Sequence, residues 1–190
     1  MRKPLLLLAV FGLTLPAVAQ TERGNKLLGV SLGDLSYSHP AQRYSSISVA
    51  LHPTAGYFVA DNLALGATLN LSYARQNIND SEFFRAWGYG ASPFVRYYVV
   101  GQGRHQAFGE AGADLNWSAN RGNFFGIQQR VTESRGYHLS LGYDYFVTPM
   151  AALEVSAGYR HQSRNDIDYL SDGLDVRVGF NVFLPVAAAK

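Results

Sequence analysis

Cysteine is absent from all 190 residues. That excludes a disulfide framework, the acylated cysteine of a lipoprotein anchor, and cysteine-based metal or redox chemistry. Long apolar runs are missing too. The run that begins at Leu5 is broken at Pro16, short of the roughly 20 residues that a spanning helix needs. Nor is there a marked excess of one charge, since 16 basic residues face 14 acidic ones. Two of the basic residues, Arg2 and Lys3, precede the apolar run, and Ala17-Val18-Ala19 closes it. This is the layout of a secretory signal cut before Gln20. Removing Arg2 and Lys3 leaves 14 basic residues against 14 acidic ones (16 − 2 = 14), a neutral balance that gives no footing for nucleic acid. The sequence predicts a signal peptide over residues 1–19 and one exported domain over 20–190.

What the chain does have is alternation. Leu63, Leu65, Ala67, Leu69, Leu71 and Tyr73 share one parity, and Ala64, Gly66, Thr68, Asn70 and Ser72 share the other. An apolar row suits a soluble core or lipid equally, so the opposite row decides. Elsewhere that row holds Arg96, Glu110, Asp114, Asp144, Glu154, Asp175 and Arg177, too many charges for a dry core. The pattern predicts an all-β fold, an eight-stranded antiparallel up-and-down transmembrane β-barrel with its apolar row on lipid. Strands are expected near 27–35, 46–59, 63–73, 86–99, 106–117, 136–146, 152–160 and 173–184. Their connections alternate short and long, which places both termini at the short-turn, periplasmic end.

Aromatic residues sort by depth on the lipid-facing parity. Tyr73, Trp87, Trp117, Tyr137 and Tyr159 fall at the outer strand ends, and Tyr57, Tyr97 and Tyr145 at the inner ends. Two belts of amphipathic rings at the water–lipid boundaries are the expected result. The segments GYFVADNLALG, RYYVVGQGRHQAFG and DYFVTPMAALEVSAG repeat one plan, an aromatic pair, valine, a turn and a fresh strand. Pro53 and Pro93 lack the amide hydrogen that a ladder needs, so β-bulges are expected there. The first strand is irregular, because the parity of Leu28, Val30 and Leu32 turns Asp34 toward lipid.

The last strand carries Arg177, Gly179, Val182 and Leu184, a polar-x-Gly-x-x-hydrophobic-x-hydrophobic pattern. With it, residues 20–184 resemble the small eight-stranded outer-membrane barrels of Gram-negative bacteria, related in plan to the transmembrane domain of outer membrane protein A. The resemblance implies an outer-membrane location among lipids that include lipopolysaccharide. It also implies that the barrel-assembly machinery reads the last-strand signal. The chain departs from the family by running on from Pro185 to Lys190, where members commonly stop at an aromatic. Members include structural proteins, adhesins, surface-defence proteins and lipid-modifying enzymes, so the resemblance fixes no single activity.

Side chains roughly fill the bore of an eight-stranded barrel. Short turns set Arg96 opposite Glu110, Ser92 opposite Asp114, and Asp144 beside Glu154. Arg177 is the expected cation for the Asp144–Glu154 pair, and Arg160 with Asp175 forms an expected second pair nearer the outside. These residues predict a polar plug, with an ion path as the alternative. His138-x-Ser140 with Glu154 resembles the histidine, serine and glutamate of outer-membrane lipid A deacylases. Strand register, however, puts Glu154 level with Tyr143 or Asp144, roughly 15 to 20 Å from His138, far beyond hydrogen-bond reach. No catalytic residue, metal or cofactor is assigned. His39, His52, His105 and His161 have no ligand spacing, and Asp166, Asp168 and Asp172 lack the EF-hand pattern. Phe83 and Phe84 beside Glu82 and Arg85, and Phe124, Phe125 and Ile127 near Arg121 and Arg130, are candidates for an extracellular contact surface. The expectation is a monomeric structural or surface-interaction barrel, with a narrow channel and a lipid-modifying enzyme as rivals.

Overall fold

Alternate positions filled by β-branched and aromatic side chains favour extended backbone. In the computed structural model such segments form eight strands: β1 (Lys26–Ser38), β2 (Ser45–Ala60), β3 (Leu63–Asn77), β4 (Phe83–Val99), β5 (His105–Gly122), β6 (Arg130–Thr148), β7 (Ala151–Arg164) and β8 (Leu170–Leu184). The structure describes residues 20–38, 45–77, 83–99, 103–122, 130–164 and 170–185. Each strand pairs antiparallel with the next, and β8 returns to β1 to close the barrel. Closure lets a sheet cross hydrocarbon, where unpaired backbone groups find no water.

The parity is inverted relative to a soluble protein. Leu141 on the outer wall is 76% exposed, whereas Asp144 in the lumen is 0% exposed. On β4, ten residues separate Trp87 from Tyr97, and on β6, eight separate Tyr137 from Tyr145. At strand rise that is about 27 to 34 Å along the strand, or roughly 21 to 26 Å along the axis at a 40° tilt, the height of an outer-membrane apolar band. The rings also touch within the loop-end row. Tyr73 packs on Trp87 with centroids 4.5 Å apart, and Tyr89 on Trp117 at 5.8 Å.

Strands run past this band at the loop end, farther than the apolar pattern alone indicates. β6 starts at Arg130, seven residues beyond Tyr137, because ladder hydrogen bonds continue into water after the lipid-facing row has ended. Phe83, Phe84 and Arg85 therefore lie in β4 and Arg121 in β5, on strand ends instead of in loops. His105 likewise begins β5 and His161 belongs to β7. Arg130 is the first residue of β6, while Phe124, Phe125, Ile127, Glu82, His39, Asp166 and Asp168 fall outside the described residues.

The two prolines do not make bulges. Register is constant on both sides of Pro53 and Pro93. β2 loses the pairs of His52 and Pro53 only toward β3, and β4 those of Ser92 and Pro93 only toward β5. A missing amide hydrogen removes a bond on one flank, and a ladder can skip that bond without inserting a residue. Register does shift between Gly33 and Ser36 of β1, beside Asp34 where the sequence parity faltered, and again at the turns after Phe58 and Phe146.

Short turns, the segment before β1 and the end of β8 share one end of the barrel. There Asn62 takes a left-handed conformation (φ 63°), which asparagine tolerates, to turn β2 into β3. Residues 20–25 fold back under this mouth. Thr21 donates its hydroxyl to Asn62 Oδ1 at 2.6 Å, and the Asn62 amide donates to Thr21 O at 2.7 Å. The seam between β1 and β8 is the shortest in the wall, with seven pairs from Lys26–Leu184 to Leu32–Val178. Neighbouring seams hold 11 pairs for β1–β2 and 13 for β7–β8.

Candidate functional site in the lumen

At the turn end each strand sends one side chain inward at the same level: Leu27, Phe58, Ala64, Tyr98, Phe108, Phe146, Ala152 and Phe183. All are at most 2% exposed. Ring centroids lie 4.9 Å apart for Phe146–Phe183, 5.5 Å for Tyr98–Phe108 and 5.8 Å for Phe58–Tyr98. This apolar layer was not anticipated from the sequence, which gave a polar plug alone. Its signal was the second member of each aromatic pair: Tyr57, Tyr97 and Tyr145 face out, so Phe58, Tyr98 and Phe146 must face in.

Directly above it lies the first charged layer. Arg96 Nε donates to Glu110 Oε2 at 2.7 Å, and its Nη1 donates to Glu154 Oε2 at 2.6 Å. The guanidinium rests 3.9 Å over the Phe108 ring, a cation–π contact out of water. Asn181 Nδ2 donates to Asp144 Oδ1 at 3.1 Å and to Glu154 Oε2 at 2.7 Å, while the Tyr98 hydroxyl donates to Asp144 Oδ2 at 3.0 Å. Arg96, reaching across the bore from β4 to β7, thus joins Glu154 to Glu110, whereas the neutral carboxamide of Asn181 bridges Asp144 and Glu154. For the latter pair the sequence pointed to Arg177, but that side chain lies nearer the loop end and pairs with Asp175, Nη2 to Oδ2 at 2.8 Å.

Farther outward, His138 stands between two acids, its Nε2 3.4 Å from Glu110 Oε1 and its Nδ1 3.2 Å from Asp114 Oδ1. Ser92 donates its hydroxyl to Asp114 in a short contact. Arg160 Nη2 donates to Asp175 Oδ2 at 2.8 Å, the outer pair that the sequence suggested. A cavity lined by Arg96, Glu110, His138 and Glu154 among these layers holds about 20 Å³, enough for about one water. Above them, His52 Nδ1 meets Asn70 Oδ1 at 3.0 Å, and Asn70 donates to Ser92 and Asn116, each at 2.8 Å.

The hydrolase-like residues do not assemble. His138 contacts Glu110 and Asp114, Glu154 is held by Arg96 and Asn181, and Ser140 sits opposite Glu110 in the β5–β6 ladder. Of the remaining histidines, His161 meets Asp172 at 2.6 Å and His105 meets the Tyr143 hydroxyl, both near strand ends. Asp172 is thus a strand residue with a partner, not a loop acid.

A closed antiparallel wall, apolar outside and charged within, defines an integral membrane barrel. The chain belongs to the outer membrane protein β-barrel domain family, whose model matches residues 5–182. It is an outer-membrane protein of the Gram-negative type, and the end with short turns lies in the periplasm. Similar solved structures include Neisserial surface protein A (NspA), 20% identical with TM-score 0.54, covering 84% of this chain and 96% of that one. The N-terminal barrel domain of Pseudomonas aeruginosa OprF is 14% identical with TM-score 0.54, covering 85% and 98%. Pseudomonas aeruginosa OprG is 14% identical with TM-score 0.51, covering 89% and 100%. At these identities the likeness concerns the fold. No curated protein matches the sequence.

Proposed function

We propose that the protein is a monomeric, non-conducting barrel that serves a structural or surface-interaction role and presents its strand ends and loops outside the cell. The observation that supports this reading is the succession of two seals in one bore. One is an apolar ring with a residue from every strand, and the other is a charged layer that leaves space for about one water. Buried ion pairs of this kind contribute little net stability over apolar packing, so we assign them to filling a bore that water would otherwise enter. In the same reading residues 1–19 are removed on export, Arg177, Gly179, Val182 and Leu184 are read by the barrel-assembly machinery, and the aromatic belts rest among outer-membrane lipids that include lipopolysaccharide. No catalytic role and no cofactor are assigned.

Single-channel recording of the refolded chain from Gln20 to Lys190, after insertion into a planar bilayer has been verified, tests the closed lumen. Silence is the expected result. A narrow ion path is the second reading, supported by the continuous charged layers. Steady openings altered by Arg96→Ala or Glu110→Ala would replace the first reading with the second.

A further inference from the structure

Three arginines meet on the outer wall at the loop end. Arg75 on β3 stands directly opposite Arg85 on β4, and Arg85 stands opposite Arg121 on β5. All three are exposed, and they share the parity of Tyr73, Trp87 and Trp117 in the loop-end belt. Arg75 and Arg85 lie two residues beyond that belt and Arg121 four, which is about 5 to 10 Å along the axis at strand rise and a 40° tilt. The headgroup region of a bilayer extends roughly 5 to 8 Å beyond its hydrocarbon. The row therefore stands at the headgroups, over an apolar face that includes Leu69, Leu71, Tyr89 and Leu115.

Like charges directly opposite one another on a sheet are destabilising, and no carboxylate among the described residues pairs with any of the three. Arg75 Nε donates to the neutral Asn77 carboxamide at 3.1 Å, and the Arg85 guanidinium lies 4.9 Å from the centre of the Phe83 ring. Glu133, a described acid on this face, is already held by Arg135 at 2.7 Å. Nor does the sequence balance the row in the connections. Segments 74–85 and 118–135 together hold five arginines against three acids, Asp80, Glu82 and Glu133.

We propose that Arg75, Arg85 and Arg121 bind the phosphates of an outer-leaflet lipid, and that a glycolipid with two phosphate monoesters is the preferred ligand. A planar guanidinium meets a phosphate with two parallel hydrogen bonds, and such charge-assisted bonds are the strong ones. Arg75 and Arg121 are two strand spacings apart, about 10 Å, so the ends of the row reach separate phosphates and Arg85 stands between them. A zwitterionic lipid brings its own ammonium and leaves the repulsion along the row in place. The acyl chains of the bound lipid lie on the apolar face below, which a soluble phosphate cannot use. The choice of leaflet rests on the outward orientation of the loop end in the reading above. Lipid binding is measured without regard to orientation and conductance is recorded separately, so either can fail alone.

The test is titration of the refolded chain from Gln20 to Lys190, in zwitterionic micelles, with diphosphoryl lipid A, phosphatidylglycerol and inorganic phosphate. Binding is read from the emission of the two tryptophans, Trp87 and Trp117, and from the melting temperature. Diphosphoryl lipid A is expected to saturate, to raise the melting temperature as a ligand of the folded state does, and to bind about tenfold tighter than phosphatidylglycerol. Arg85→Gln should weaken it about tenfold, the effect of about one charge-assisted hydrogen bond. Combining Arg75→Gln, Arg85→Gln and Arg121→Gln should remove the preference for lipid A while the barrel keeps its heat-modifiable migration, since all three side chains are exposed. Arg104→Gln removes the same charge at the opposite end of the barrel and should change nothing. Unchanged affinity in the folded triple variant, equal weakening by Arg104→Gln, or an equal rise in melting temperature with inorganic phosphate alone would each overturn the proposal.

Discussion

Arg96 is 4% exposed and joins Glu110, Glu154 and the Phe108 ring in one grip. Replacing it with methionine leaves two buried carboxylates without their cation, and Arg96→Met is expected to cost about 3–5 kcal/mol, read as a lowered urea midpoint for unfolding from micelles. Arg177→Met should cost less, since Asp175 keeps Arg160 as a partner. Cross-strand neighbours such as Arg96 and Glu110 were legible in the sequence because a short turn fixes which residues face each other. Arg96 with Glu154 was not, since 58 residues separate them and their contact crosses the bore. Strand periodicity sets the face of a side chain but says nothing of what stands opposite across a barrel.

At the scale of elements, strand number, order and parity followed from alternation, whereas strand ends did not. The apolar row stops where lipid stops, and the ladder goes on. The prolines show the same separation between side-chain pattern and backbone bonding. Pro93 leaves pairs missing only toward β5, with register unchanged, so Pro93→Ala restores an amide donor in a slot already aligned. A gain of about 1 kcal/mol in stability is expected, measurable as a higher melting temperature; a loss would mean that the ring stiffens this strand more than the bond would help. The apolar ring is the opposite case, an element made of single residues from eight strands. Phe58→Ala should cost about 3–5 kcal/mol, checked in the same urea assay.

For the whole molecule, two seals in series predict a specific order of failure. Phe58→Ala with Phe183→Ala should remain silent in a planar bilayer, because the Arg96 layer still fills the bore. Adding Arg96→Ala should bring discrete openings. Openings from the aromatic double variant alone would locate the whole barrier in the ring.

The short seam between β1 and β8 gives this barrel a direction of wear. Seven pairs join the two strands, all on the periplasmic side of Leu32 and Val178, while β8 continues outward to Leu170 paired with β7 alone. In solvent-exchange terms, outward amides of β8 that point toward β1 have no ladder acceptor there and should take up deuterium first. Protection should then fall away like a zip opened from the cell surface downward, and it should persist longest beside Leu28 and Val182, where the two strands are still paired on both sides.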